Sequence, residues 1–257
     1  MLYEENRRDS MDIYYAPANN FNKISNFLFY LNLGISFIIL LKVPTGVKES
    51  LTIVLIVLIL LYALFSSLTS FYYLPRADEK RKTHLISNAF QIRMDGEETH
   101  LYYNNSLKEP IERLGANVLE DTLFSKNVSR KMIIKEITLV GICIIIGVIV
   151  CLNRDSNLDF ILWISQTLFS TVLISNVIKL ILFNRKCESI YQEIYKVFLD
   201  SDEISTVKFN AYVLDAFSKY ECVKFQCGIM LSSNIFHKLN PSLKQEWKEI
   251  KKQLKIE

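Results

Sequence analysis

Residues 51–74, LTIVLIVLILLYALFSSLTSFYYL, form an apolar stretch without a charged side chain. A helix rises about 1.5 Å per residue, so a stretch of this length spans the roughly 30 Å hydrocarbon core of a bilayer. Three further stretches share this length and character, namely 24–43, 132–152 and 159–183. A segment in lipid must satisfy its own backbone hydrogen bonds, so each stretch predicts a helix. We therefore predict an all-α integral membrane protein whose four transmembrane helices form two hairpins, with a cytosolic helical domain.

Lysine and arginine residues concentrate at one end of these stretches. They are Arg7, Arg8, Lys23, Arg76, Lys80, Arg81, Lys82, Arg130, Lys131, Lys135, Arg185 and Lys186. The two opposite turns, 44–50 and 153–158, hold only Lys48 and Arg154. The positive-inside rule then predicts a multi-pass protein of the inner membrane with both termini and the 75–131 segment in the cytoplasm.

The stretches divide the chain into five parts. These are a cytosolic N-terminal segment 1–23, a transmembrane hairpin 24–74, a cytosolic loop region 75–131, a transmembrane hairpin 132–183 and a cytosolic helical region 184–257. The first stretch begins late and is too long for the apolar part of a cleavable signal peptide, so we expect an uncleaved signal anchor.

Prolines and polar runs predict where the helices end. Pro17 is expected to break the N-terminal helix, and Pro75 to kink or end the helix of the second crossing. A turn is predicted at 239–241, which ends in Pro241, and a polar break at 200–203. Helical spacing of apolar residues predicts cytosolic helices over 78–90, 111–127 and 205–233.

No pattern in the chain is typical of an enzyme or of a metal protein. The three histidines, His84, His100 and His237, have no His, Cys or carboxylate neighbour at metal-ligand spacing. Glycine-rich phosphate loops and hydrolase motifs are absent, and the five cysteines show no CxxC spacing. A net charge of +3 gives no reason to expect a nucleic-acid partner. The sequence predicts a protein without catalytic residues, cofactor or metal.

Small and hydroxyl-bearing residues recur every four positions in the apolar stretches, which places them on one helix face. In the fourth stretch they are Thr167, Thr171, Ser175 and Lys179. In the second and third they are Ser66, Ser70, Cys143, Gly147 and Cys151. One interpretation is close helix packing within a bundle. The other is that the face in the fourth stretch lines a water-filled pore in an oligomer, although Lys179 is also close enough to the cytoplasmic end to snorkel.

The C-terminal segment 242–254 predicts an amphipathic helix, with Leu243, Trp247, Ile250 and Leu254 on one face. This face is expected to dock onto the helix at 205–233 or onto a partner protein. The alternative is that the lysine-rich helix lies on anionic lipid.

Several blocks outside the apolar stretches carry a resemblance to a known family. They are the opening stretch from Arg7-Arg8 to Tyr14-Tyr15-Ala16, LISNAF at 85–90, YYNN at 102–105, LGANVLE at 114–120 and SNIFHKLNP at 233–241. Together with the two hairpins, they make the chain similar to the four-transmembrane effectors of bacterial anti-phage signalling systems of the CBASS type. The resemblance implies a membrane-disrupting or pore-forming protein that stays silent until a cytosolic cue, such as a cyclic nucleotide, changes its assembly.

Our leading hypothesis is therefore a non-enzymatic effector that oligomerises and permeabilises the inner membrane when a cytosolic signal is sensed. Its expected partners are the lipid bilayer, further copies of itself, and a cyclic nucleotide or a cytosolic sensor protein. The alternatives are a membrane-anchored scaffold or inhibitor that holds a cytosolic partner, and a small channel or transporter subunit.

Overall fold

A computed structural model describes residues 11–40, 43–94, 107–152 and 158–256. Within the helices, the side chains of residues 40, 143, 146–152 and 158–173 lie outside that description. The helices are α1 Asp12–Leu40, α2 Thr45–Leu68, α3 Leu74–Phe90, α4 Pro110–Leu152, α5 Leu158–Leu199, α6 Thr206–Cys227 and α7 Ser233–Gln253. A π-helical turn, Thr69–Tyr73, joins α2 directly to α3. The predicted all-α class is confirmed for the described residues.

Pro17 does not interrupt the first helix. It lies inside α1, so the predicted break there is wrong. Pro17 lacks the N–H that would bond the carbonyl of Ile13, but it is exposed in the second turn, where water can satisfy that carbonyl. The burial of Ala18 and Ser25 in the same helix holds the chain helical past the proline.

Pro241 likewise lies inside α7, and the turn predicted at 239–241 is wrong. The lost hydrogen bond would have ended at the carbonyl of His237, and both residues are exposed to solvent. The buried side chains of Leu243, Trp247 and Ile250 follow directly and fix the helix against the core. Packing therefore outweighs the local preference of proline.

Pro75 is accommodated by the π-helical turn that precedes it. In a regular α-helix its ring would clash with the carbonyl of Phe71. The wider spacing of the π turn, in which the Leu74 N–H bonds the Thr69 carbonyl, relieves that clash. The helix therefore continues from Thr45 to Phe90, and the helix predicted over 78–90 is confirmed.

Local capping determines the ends of the last two helices. Ser205 and Ser232 accept hydrogen bonds from the N–H groups of Lys208 and Ile235, which is the usual role of serine at an N-cap. Gly228 ends α6 in the left-handed region with φ of 54°, a conformation that glycine adopts without strain. The helix predicted over 205–233 is therefore too long, since α6 ends at Cys227 and α7 begins only at Ser233, while the polar break at 200–203 is confirmed.

The chain divides into two compact units. Unit 1 comprises Met1–Tyr15, Pro75–Met132 and Leu180–Glu257, and unit 2 comprises Ala16–Leu74 and Ile133–Lys179. The helices α1, α4 and α5 each contribute residues to both.

Unit 1 has one large apolar core, built from α3 to α7 and the residues that follow α7. Its centre includes Leu119, Leu123 and Val213, which are fully buried. Gly115 of α4 lets three helices approach closely, because a Cβ there would lie 3.0 Å from both Phe198 of α5 and Val213 of α6. Such close packing is typical of a folded helical domain.

Unit 2 is held by two smaller apolar clusters. In one, Leu28 and Phe29 of α1 pack with Tyr62 of α2, and the Phe29 and Tyr62 ring centroids are 6.1 Å apart. In the other, Ile39 of α1 packs with Leu55 of α2. The two helices that form the first predicted hairpin are therefore packed together within unit 2.

Candidate functional site

One helix of the described residues, Thr45–Phe90, is long and apolar enough to cross a membrane. Its most apolar 18-residue window has a mean hydropathy of 2.8, and only 6% of that window is buried. A core helix of comparable composition in a water-soluble protein is normally covered by its neighbours. This helix contains the predicted second crossing, and its length, composition and exposure agree with membrane association.

Large apolar side chains are also exposed on the other helices of unit 2. They include Phe27, Phe37 and Ile38 of α1, Ile134, Ile137, Ile142 and Ile145 of α4, and Ile174 and Ile178 of α5. Exposed apolar patches of this kind mark surfaces that contact lipid or another protein.

The predicted pore stripe is only partly described. Thr167 and Thr171 lie in α5, but their side chains are outside the described part of the chain. Ser175 and Lys179 are both exposed on α5, and Asn176 beside them is exposed as well. This surface of unit 2 thus carries polar side chains next to the exposed Ile174 and Ile178.

The predicted packing stripes have different surroundings. Ser66 and Ser70 are half-buried, and Ser66 lies within hydrogen-bonding reach of the Tyr62 hydroxyl, which also reaches the side chain of Asn176 in α5. Polar side chains thus link α2 to α5 inside unit 2, as expected for hydroxyl-mediated helix packing. Cys143, Gly147 and Cys151 lie in α4, and their side chains are outside the described part.

Asn32 of α1 is a buried polar residue in unit 2, with a relative exposure of 1%. Neither its side-chain nitrogen nor its oxygen has a hydrogen-bond partner among the residues that the structure describes. A buried amide left unpaired costs about 1–3 kcal/mol, so Asn32 destabilises the arrangement of α1 and α2 seen here.

The apolar face of the C-terminal helix is buried within unit 1. Leu243, Trp247, Ile250 and Leu254 have relative exposures of 4–7%. Trp247, Ile250 and Leu254 belong to the same buried cluster as residues of α4, α5 and α6. The predicted amphipathic helix is confirmed, and its apolar face packs on the chain's own core.

A cluster of charged and hydroxyl side chains lies between the N-terminal end of α1 and α3 in unit 1. The Tyr15 hydroxyl donates a hydrogen bond of 2.6 Å to Asp78, and the Arg81 guanidinium lies 5.4 Å from the Tyr15 ring centroid. Burial raises the pKa of Tyr15 well above its usual value, and the charge of Asp78 adds to the rise. These contacts fasten the start of α1 to α3.

Glu221 of α6 lies close to further acidic groups of unit 1. Its carboxylate forms an ion pair of 2.9 Å with Lys224. Burial raises the pKa of Glu221, Lys224 opposes the rise, and the charges of Asp78 and Asp121 add to it. This unit therefore contains a half-buried carboxylate that binds its proton more tightly than a carboxylate in water.

Two polar contacts, one buried and one partly buried, join different helices of unit 1. The hydroxyls of Ser125 in α4 and Tyr220 in α6 are 2.9 Å apart. The Asn184 side chain in α5 donates to the Ser129 hydroxyl at 2.8 Å and to the Lys126 carbonyl at 2.6 Å. Hydrogen bonds between side chains of different helices fix how the helices are aligned along one another.

The described residues contain no group of three His, Cys, Asp or Glu side chains arranged to hold a metal ion. His84 is buried and His237 is exposed, and His100 lies outside the described residues. Cys187, Cys222 and Cys227 are free thiols, and burial raises the pKa of Cys187, which disfavours its reactive thiolate.

No family model, curated protein or solved structure matches this chain.

Sequence reasoning missed the polar contacts of unit 1. Tyr15 and Asp78 are 63 positions apart, and Ser125 and Tyr220 are 95 apart. No short motif links such pairs.

Proposed function

We propose that the chain is a non-enzymatic membrane effector of bacterial anti-phage defence that oligomerises and permeabilises the inner membrane. In this proposal the protein crosses the membrane four times, with both termini in the cytoplasm. Unit 2 forms the membrane assembly, and unit 1 receives the cytosolic signal.

The main support for this proposal is the exposed surface of α5 in unit 2. Ser175 and Asn176 are exposed beside Ile174 and Ile178, which are exposed too. In a lone copy, this surface would bring the Ser175 hydroxyl into contact with lipid, where a polar group is costly unless it is hydrogen-bonded. A second copy or a column of water would remove that cost.

Snorkelling does not explain the position of Ser175. Ser175 is about 12 Å along the helix axis from Phe183, the end of the predicted fourth crossing. Its side chain is too short to reach the interface from there. Lys179 is long and lies closer to the end, so it is compatible with either arrangement.

The membrane assignment is supported by the exposed apolar side chains on α1, α2, α4 and α5 of unit 2. The helix Thr45–Phe90 adds the length and composition of a spanning segment. Unit 1, in contrast, has its own core and buried polar contacts, which suit a folded domain in water. The scaffold alternative is less well supported, because the face around Trp247 is buried within the chain.

Cysteine accessibility tests the pore face with a matched pair of variants. The five native cysteines are replaced by alanine, and Ser175→Cys or Ile174→Cys is then introduced. Ion flux is recorded in cells and in vesicles that hold the purified protein. A charged, membrane-impermeant thiol reagent is expected to reduce flux through Ser175→Cys and to leave flux through Ile174→Cys unchanged.

Two results would contradict the proposal. One is an intact membrane potential in cells that express the full-length protein together with its trigger. The other is flux that responds equally to the reagent in both cysteine variants, since neighbouring helix positions lie about 100° apart and cannot both face a narrow pore.

A further inference from the structure

An open groove lies between α5 and α7 in unit 1. It has a volume of about 400 Å³ and is lined by Tyr191, Tyr195, Glu246, Glu249, Ile250 and Gln253. This volume is in the range of sites for small molecules. The groove combines two aromatic rings with two carboxylates.

The aromatic wall is fixed by contacts within the unit. The Tyr191 and Tyr195 rings have centroids 5.9 Å apart and an interplanar angle of 31°. The Tyr195 hydroxyl donates to the Gln253 side-chain oxygen at 3.1 Å, which joins α5 to α7 across the groove. A ligand would therefore meet rings that are already held in place, which lowers the entropic cost of binding.

The acidic wall retains capacity to bind a cation. Glu249 accepts one hydrogen bond of 3.1 Å from Gln245. Glu246 forms no hydrogen bond or ion pair with another described residue. An anionic ligand, including a cyclic nucleotide, would place its phosphates beside these carboxylates and be repelled.

The same combination already holds an ammonium group next to the groove. The Lys126 Nζ lies 3.4 Å from the centroid of the Tyr191 ring and 3.4 Å from the Glu188 carboxylate. An aromatic face together with a carboxylate is a recurrent way to bind organic cations. Tyr195 with Glu246 and Glu249 offers the same combination of an aromatic ring and carboxylates.

We propose that the groove between α5 and α7 is a binding site for a small organic cation of the guanidinium or ammonium class. The Tyr195 ring contacts the charged head of the ligand, and Glu246 and Glu249 pair with the charge. This proposal does not depend on pore formation, because ligand binding to the groove can be measured whether or not the protein conducts ions.

Calorimetric titration of the full-length protein in detergent tests the site. The probes are agmatine and spermidine, with glutarate as the anionic control. We expect saturable binding of both cations and none of glutarate. Glu246→Gln is expected to weaken agmatine binding about fivefold, which corresponds to about 1 kcal/mol. Glu203→Gln, which removes an exposed carboxylate elsewhere in unit 1, serves as the matched control.

Tyr195→Leu gives a second test, since it removes a ring and keeps an apolar side chain. It is expected to weaken agmatine binding by a similar factor, and far-ultraviolet circular dichroism checks that the helices remain. Absent agmatine binding, or equal loss in Glu246→Gln and Glu203→Gln, overturns the proposal. An arginine-containing peptide that binds more than about tenfold tighter than agmatine would also overturn it in favour of a protein-docking surface.

Discussion

The buried contact between Ser125 and Tyr220 provides the sharpest test of the packing in unit 1. Their hydroxyls are 2.9 Å apart, and the two residues have relative exposures of only 4% and 5%. Burial raises the pKa of Tyr220 well above its usual value, with Asp121 adding to the rise, which favours the neutral hydroxyl. The contact is thus a neutral hydrogen bond without access to water.

The expected energies follow from this burial. Tyr220→Phe leaves the Ser125 hydroxyl buried without its partner, and Ser125→Ala does the same to Tyr220. Each change is expected to lower the free energy of unfolding by about 1–3 kcal/mol. The double variant leaves neither hydroxyl, so its loss should be about 1–2 kcal/mol smaller than the sum of the two single losses.

The measurement is urea unfolding of the full-length protein in detergent, followed by the fluorescence of Trp247. A Trp163→Phe background makes this core residue the only tryptophan, since the chain has two. The control is the partly exposed pair Tyr195 and Gln253, whose side chains meet at 3.1 Å. Water can replace that bond, so its coupling energy should stay below about 0.5 kcal/mol. Additive losses for Ser125 and Tyr220 would refute the buried hydrogen bond.

Two other changes test burial and charge in unit 1. Trp247→Ala removes a core side chain with 5% exposure and should lower the free energy of unfolding by about 3–5 kcal/mol. Lys248→Ala on the exposed side of α7 should change it by less than about 0.5 kcal/mol. Urea unfolding followed by circular dichroism measures both variants, since the first lacks the Trp247 fluorophore, and equal effects would be inconsistent with the buried face. Burial raises the pKa of Glu221 above 4.5, so the folded state binds more protons and the free energy of unfolding falls as pH rises between the unfolded and folded pKa values. Glu221→Gln should remove this part of the decline in urea unfolding at a series of pH values, and an unchanged pH profile would show that Glu221 is not buried as described.

The order and approximate extent of the helices could be predicted because their signals are local. The apolar stretch at 51–74 lies within one long helix, as predicted, and the helical spacing around Leu114, Val118 and Leu119 corresponds to buried positions of α4. The amphipathic period of the C-terminal segment identified all four residues of its buried face. Hydrogen bonds within a helix join residues four positions apart, so sequence spacing carries this information.

The effect of the prolines could not be predicted from local preference alone. Pro17 and Pro241 lie inside helices because packed neighbours and solvated carbonyls outweigh the loss of one hydrogen bond. Pro75 is accommodated by a π-helical turn. The cost of a proline depends on what surrounds the carbonyl one turn earlier, and this is known only once the fold is in place.

The two proposed functional surfaces also combine features that the sequence shows with features that only the fold shows. The four-residue period of Ser175 and Lys179 is visible in the sequence, but their exposure on α5 is a property of the folded unit. The groove of Tyr191, Tyr195, Glu246 and Glu249 had no sequence signal, because it forms where two helices meet. Its aromatic and acidic residues look like ordinary surface positions when each helix is considered alone.

The sequence by itself determined that this protein is helical and that one part of it is apolar enough for lipid. Those properties depend on hydrogen bonds and side chains within single segments. The tertiary structure decided which polar groups meet, including Tyr15 with Asp78 and Ser125 with Tyr220, which are 63 and 95 positions apart. Contacts over such separations depend on how whole helices pack, and no local pattern of residues specifies them.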